Sequence, residues 1–123
     1  MSITKNLDTA WSKAVKINSG YKCEVCGKKD GVLNSHHYVG RVNRALRWDL
    51  KNGITLCYQH HVGGKQSAHE DIDFFREWFK ASRPEDYEHT QLVKNIIVKR
   101  TNAEKRELLK ELKAYIKENE IDT

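Results

Sequence analysis

CEVCGKKDGVLNSHHYVGRVNRALRWDLKNGITLCYQHHVGGKQSAH, residues 23–69, decides the fold, because it holds all three cysteines and five of the six histidines of the 123-residue chain. Two sets of side chains interleave in it. Cys23, Cys26, Cys57 and His60 have the C-x2-C and C-x2-H spacing of a closed tetrahedral zinc site, whose ligands are thiolate sulfur and imidazole nitrogen. An odd number of cysteines, two of them in one C-x2-C, points to structural Zn2+ in a reducing compartment rather than to a disulfide framework. Gly27, directly after the second cysteine, permits the tight turn of a zinc knuckle. His36, His37, Asn52, His61 and His69 form the second set, inside and just after the first, and chemistry is expected there.

Residues 33–39 and 52–57 are short β-type runs, which read as a hairpin with a long connection. That connection carries Arg41, Arg44, Arg47 and Lys51 against one acid, Asp49. These basic side chains are assigned to the substrate side, with an internal pair as the alternative for Arg47 beside Trp48 and Asp49. On a regular strand neighbours point to opposite faces, so one of His36 and His37 can ligate a metal while the other stays free. His61 and His69 are eight apart, which on an unbroken helix would separate them by ~12 Å along the axis. Gly63-Gly64 and the capping sequence Ser67-Ala68-His69-Glu70, read as opening a helix near Ala68, imply a break, and a loop there could fold His69 back towards His61. His89 has no partners in its neighbourhood and reads as an ordinary core or surface histidine.

Working outward, residues 6–19 read as a helix capped by Asn6 or Asp8, with Leu7, Trp11, Ala14 and Val15 on one face and Gly20 at its end. It is expected to pack on the zinc module. Phe74, Phe75, Trp78 and Phe79 give the helix after Ile72 a broad apolar face, read as core. Ser82-Arg83-Pro84-Glu85 reads as a capping box opening a helix that buries Leu92, Val93, Ile96 and Ile97. Thr101-Asn102-Ala103-Glu104 reads as a box opening the last helix, which extends to Asn119 and aligns Leu108, Leu112, Tyr115 and Ile116 for packing within the chain or for a homodimer. The sum is one α+β domain: an N-terminal helix (residues 1–22), a zinc-stapled core (23–80) and C-terminal helices (81–123).

The net charge of +5 is uneven: residues 31–69 carry +4 and residues 70–98 carry −3. A basic surface around a metal site suits a polyanion such as DNA, since each phosphate neutralised releases counterions. A solvated basic face that aids solubility is the plainer alternative. With no long apolar run and no signal-peptide segment, the expectation is a soluble cytoplasmic protein with no membrane partner.

Cys23-x2-Cys26, His36-His37, Asn52 and Cys57-x2-His60-His61 together resemble the HNH endonuclease superfamily, whose ββα-metal core is held by a zinc knuckle. The runs His37-Tyr38-Val39-Gly40-Arg41, Leu46-Arg47-Trp48-Asp49 and Asn52-Gly53-Ile54-Thr55-Leu56-Cys57 look most like small phage HNH proteins, including the NinG recombination proteins. The resemblance covers residues 11–80. It implies a small ββα-metal (HNH) core and a DNA phosphodiester hydrolase of phage or mobile-element origin, placed in the host cytoplasm. In that reading His37 is the general base and His36, His61 and His69 hold a catalytic divalent metal, while Asn52 orients His37 or offers its amide oxygen to the metal. Imidazole can take a proton near neutral pH, and a metal polarises a phosphate. The chain departs from the family at His60, where a fourth cysteine is common, and in the longer spacing from His61 to His69. It departs again at His36, where some relatives have a carboxylate; a histidine-rich set favours Zn2+, Ni2+ or Mn2+ over Mg2+. From another class comes a zinc-stapled nucleic-acid or protein binding module without hydrolysis, which has no need of His37 and Asn52 beside an open metal position.

Overall fold

The computed structural model describes residues 2–120. In chain order it runs α1 (Ile3–Asn18), β1 (Leu33–His37), a single 3-10 turn (Leu50–Asn52), β2 (Gly53–Cys57), a wide turn (Gln59–Gly63), α2 (Ile72–Ser82), α3 (Pro84–Val93) and α4 (Asn102–Asn119). The architecture is α+β, with helices around one two-stranded antiparallel sheet. Leu33 pairs with Cys57 and His37 with Gly53. Pairing stops there because Asn52 belongs to the 3-10 turn and not to the strand, so both strands are shorter than their sequence suggests.

The cap of α1 is Ser2, whose hydroxyl accepts the Lys5 N–H at 3.2 Å, and not Asn6 or Asp8. Asp8 is turned instead towards the β1–β2 connection. Leu7, Ala10, Trp11, Ala14 and Val15 form the buried stripe of α1, and α4 supplies Leu109 and Leu112 to the same core. Leu108, Tyr115 and Ile116 pack at its margin, so the apolar side of α4 is used on α1 within the chain. Val15 and Trp11 also press on the sheet at Gly53, where a Cβ would overlap both side chains. Glycine is required there for close approach.

A second core lies on the other side of the sheet, where Ile54, Leu56, Cys23 and Cys57 meet Phe75 and Phe79 of α2. Ser67 does accept the Glu70 N–H, at 3.2 Å, but the expected helix does not start there. The backbone is diverted: Ala68 N donates to His60 O at 2.8 Å and His69 N to His61 O at 3.2 Å. Helix α2 begins at Ile72, capped by Asp71. Ser82 is the last residue of α2 rather than a cap; Arg83, held out of the helical region ahead of Pro84 as sterics demand, separates the two helices.

Helix α3 ends at Val93, and Leu92, Ile96 and Ile97, expected in the core, are 73%, 56% and 87% exposed. Helical spacing placed them on one face, but the helix ends before Ile96 and Ile97, and Leu92, still helical, is on its solvent side. The capping box of α4 forms as expected, with Thr101 and Glu104 each bonded to the other's backbone N–H. His89 does have a partner, Asp49, at 2.6 Å, forty residues away in sequence. No helix among the described residues is long and apolar enough to cross a membrane.

Candidate functional site

The C-x2-C turn is built first by its backbone. Cys23 N donates to Lys28 O at 2.9 Å and Gly27 N to Cys23 O at 2.7 Å, with Gly27 at φ +77°, a conformation that favours glycine. Glu24 ties this turn to β2: its backbone N–H donates to Thr55 O, and its carboxylate accepts the Thr55 N–H at 2.7 Å. Cys57 closes β2, and the wide turn brings His60 round beneath it. The donor atoms of Cys23, Cys26, Cys57 and His60 all lie within 4.8 Å of one another.

The edges of this group fit a metal. A tetrahedron with ~2.3 Å metal–sulfur and ~2.0 Å metal–nitrogen bonds has S–S edges of ~3.8 Å and S–N edges of ~3.5 Å. Cys26 and Cys57 sulfurs are 3.8 Å apart, and His60 Nδ1 is 3.3 Å from Cys57 and 3.7 Å from Cys23. Burial works against a thiolate at Cys23, yet the backbone N–H groups of Cys57, Cys26 and Val25 point at its sulfur and hold its pKa below the ordinary thiol value. All three cysteines are free of disulfides. These four residues can bind a metal such as zinc.

His36, His61 and His69 make a second group, again with donor nitrogens within 4.8 Å of one another. His61 Nε2 and His69 Nε2 are 3.1 Å apart, and the His36 ring meets both rings edge-on at 5.2 and 5.1 Å. The break at Gly63-Gly64, with the two backbone bonds from residues 68 and 69, returns His69 to His61. Burial pushes the His36 pKa down to about 3, with His61, His69 and His37 adding to the effect. Burial lowers His61 as well, followed by the influence of His69. His36 and His61 are therefore neutral at pH 7, with lone pairs available. Three converging imidazoles without a carboxylate suit a borderline transition metal better than Mg2+.

His37 points to the opposite face of β1. Its ring stacks on Trp11 at 3.9 Å and 11°, and its Nε2 lies 2.9 Å from Arg47 O. A carbonyl can only accept, so Nε2 carries the proton and Nδ1 keeps its lone pair. Burial lowers the His37 pKa, against the raising effects of the Arg47 carbonyl and the Asp8 charge. His36 and His37 both line one cleft of about 450 Å³, whose wall also holds Arg76, Gln91 and Lys94.

Asn52 does not reach the three imidazoles. It is fully buried, with Nδ2 donating to Val39 O at 2.9 Å and Leu46 O at 3.2 Å, and Oδ1 accepting Val39 N at 2.7 Å. Its backbone carbonyl accepts the Tyr38 N–H at 2.9 Å. Asn52 thus staples the connection that presents the Arg47 carbonyl to His37. The Arg47 guanidinium is engaged by Asp8 at 2.7 and 3.0 Å, while Arg41, Arg44 and Lys51 are exposed. Burial disfavours the Asp8 carboxylate, but hydrogen bonds from Arg47 and Trp48 outweigh it and keep its pKa low.

The sequence signals missed Trp11 as the support of His37, and Arg76, Gln91 and Lys94 as cleft residues. Trp11 was legible only as an apolar helix position. Arg76 and Lys94 sit in the acidic third quarter of the chain, where segment charge conceals them. Compared with protein-family profiles, curated proteins and solved structures, the chain finds no match.

Proposed function

We propose that the chain is a metal-dependent DNA endonuclease of the HNH type, with Cys23, Cys26, Cys57 and His60 holding a structural Zn2+ and His36, His61 and His69 holding a working divalent ion. The observation that carries this reading is His37: one ring nitrogen is pinned to a backbone carbonyl, the other makes no hydrogen bond among the described residues, and the residue lines a cleft together with His36 of the three-imidazole group. When bound, the working ion supplies Lewis acidity to a phosphodiester oxygen. His37 Nδ1 takes a proton from the water whose oxygen forms the new bond to phosphorus, as the bond from phosphorus to the leaving oxygen breaks. The Nε2–H to Arg47 hydrogen bond strengthens as His37 becomes an imidazolium. Asn52 keeps that carbonyl in place, and Arg76 and Lys94 offer positive charge to the phosphates. Arg41, Arg44 and Lys51 extend the basic surface away from the cleft. A binding module would gain nothing from a histidine held in one tautomer.

Plasmid nicking by His37→Ala tests the proposal. The variant is expected to keep its circular dichroism spectrum, its zinc and its DNA affinity while cutting ~10²–10⁴-fold more slowly, the usual cost of losing a general base. A His37→Ala protein that cuts at the parent rate overturns the mechanism and leaves the non-catalytic binding module in its place.

A further inference from the structure

The segment that follows α3 crosses back over the basic connection and is fastened at both ends. Asn43 Nδ2 donates to Lys94 O at 2.7 Å, and Arg100 Nη1 donates to Arg44 O at 2.6 Å. Lys94 borders the histidine cleft. Beyond the other fastening lies a separate groove of about 280 Å³, whose lining includes Arg44, Arg47, Trp48, Lys99, Arg100 and Lys105. Five cations and no carboxylate line it.

Two of those cations are held by the groove itself. Arg47 and Arg100 lie over the Trp48 ring at 5.3 and 5.7 Å, and Arg47 is also paired with Asp8. Asp8 is further occupied by the Trp48 indole N–H at 2.8 Å, and Glu104 is occupied by the Thr101 N–H at 3.1 Å. Arg44, Lys99 and Lys105 form no ion pair among the described residues. Like charges confined to one small groove repel each other, and a row of phosphates removes that repulsion while releasing counterions.

We infer that this groove is a second contact for the DNA backbone, continuous with the histidine cleft along residues 94–100. A duplex engaged at His37 is then held by Lys99 and Lys105 of the C-terminal segment as well as by the connection. The inference takes its substrate from the nuclease reading and adds Lys99, Arg100 and Lys105, which that reading does not use.

The test is fluorescence anisotropy of a labelled DNA duplex titrated across salt, without added divalent cation. Three proteins are compared: the parent, Lys99→Ala/Lys105→Ala, and Lys110→Ala/Lys113→Ala, which removes the same charge from exposed α4 positions outside the groove. The groove pair is expected to lower the slope of log K against log salt by about 1.8, with affinity reduced alike for all sequences, while the control pair leaves the slope unchanged. An unchanged slope for the groove pair, an equal change for both pairs, or a parent that binds no DNA overturns the inference. Failure of the nuclease reading looks different: the parent binds DNA with the groove-dependent slope and nicks no plasmid.

Discussion

Around His37 the side chains set orientation and proton affinity by separate means. Trp11 fixes the plane of the ring, Arg47 O fixes the tautomer, and burial lowers the pKa while Asp8 raises it. Because the folded pKa lies below the ordinary ~6.5, the neutral ring favours the folded state above that value, and this contribution is lost as pH falls through the lowered pKa. In the proposed mechanism the same direction would apply to catalysis. The acid limb of the cleavage profile is expected below pH ~6.5, since the base is usable until its own, lowered pKa is reached. Asp8→Asn removes an attraction for the imidazolium and should move that limb lower still. A limb at or above the free imidazole value in the parent, or an upward shift in Asp8→Asn, would remove His37 from the base role.

At the level of elements, the C-x2-C turn, the hairpin and the wide turn contribute two, one and one ligands of the cysteine group, which no single element could bring together. A metal bound by the four-residue group would therefore contribute folding energy, because the unfolded chain has no such site. Cys26→Ser is expected to unfold the domain and abolish tight zinc retention, read by circular dichroism and metal content; a folded Cys26→Ser protein with parent zinc content would contradict the assignment. The cysteine group was legible from spacing, since such a ligand set is written in residue types and short separations; the histidine group came only from the resemblance to the HNH superfamily, because His36 is far in sequence from His61 and His69. The capping box of α4 was legible for the same local reason. The true roles of Asn52 and Arg47 were not, because their partners are backbone groups and an acid that only the folded connection brings near. Nor was the exposure of Ile96 and Ile97, since helical period predicts a face but not where the helix ends.

Across the whole molecule, two cores on opposite sides of a small sheet must be joined, and Arg83 is the main polar joint. Its guanidinium reaches Glu24 at 3.1 Å, Gly53 O at 2.7 Å and Asp86 at 2.7 Å, from the junction of α2 and α3. Burial raises the Glu24 pKa against the pull of Arg83, so removing the arginine would leave a poorly solvated acid. Arg83→Ala is expected to cost about 3 kcal/mol in urea denaturation, the lower end for a broken buried pair. Arg83→Lys should recover little, because one ammonium cannot serve three acceptors in fork geometry. Parent-like stability in both variants would mean that the joint lies elsewhere. His60 and His61 are sequence neighbours in the wide turn, yet they serve different groups, and their carbonyls are bonded to residues 68 and 69. Should both groups hold ions and this shared turn couple them, the coupling would be reciprocal: whatever factor occupancy of the cysteine group added to affinity at the imidazole group, the imidazole group would return to the cysteine group. With ions at both groups, such a coupling would make them one linked equilibrium, in which an apparent affinity measured at either group would carry the filling of the other.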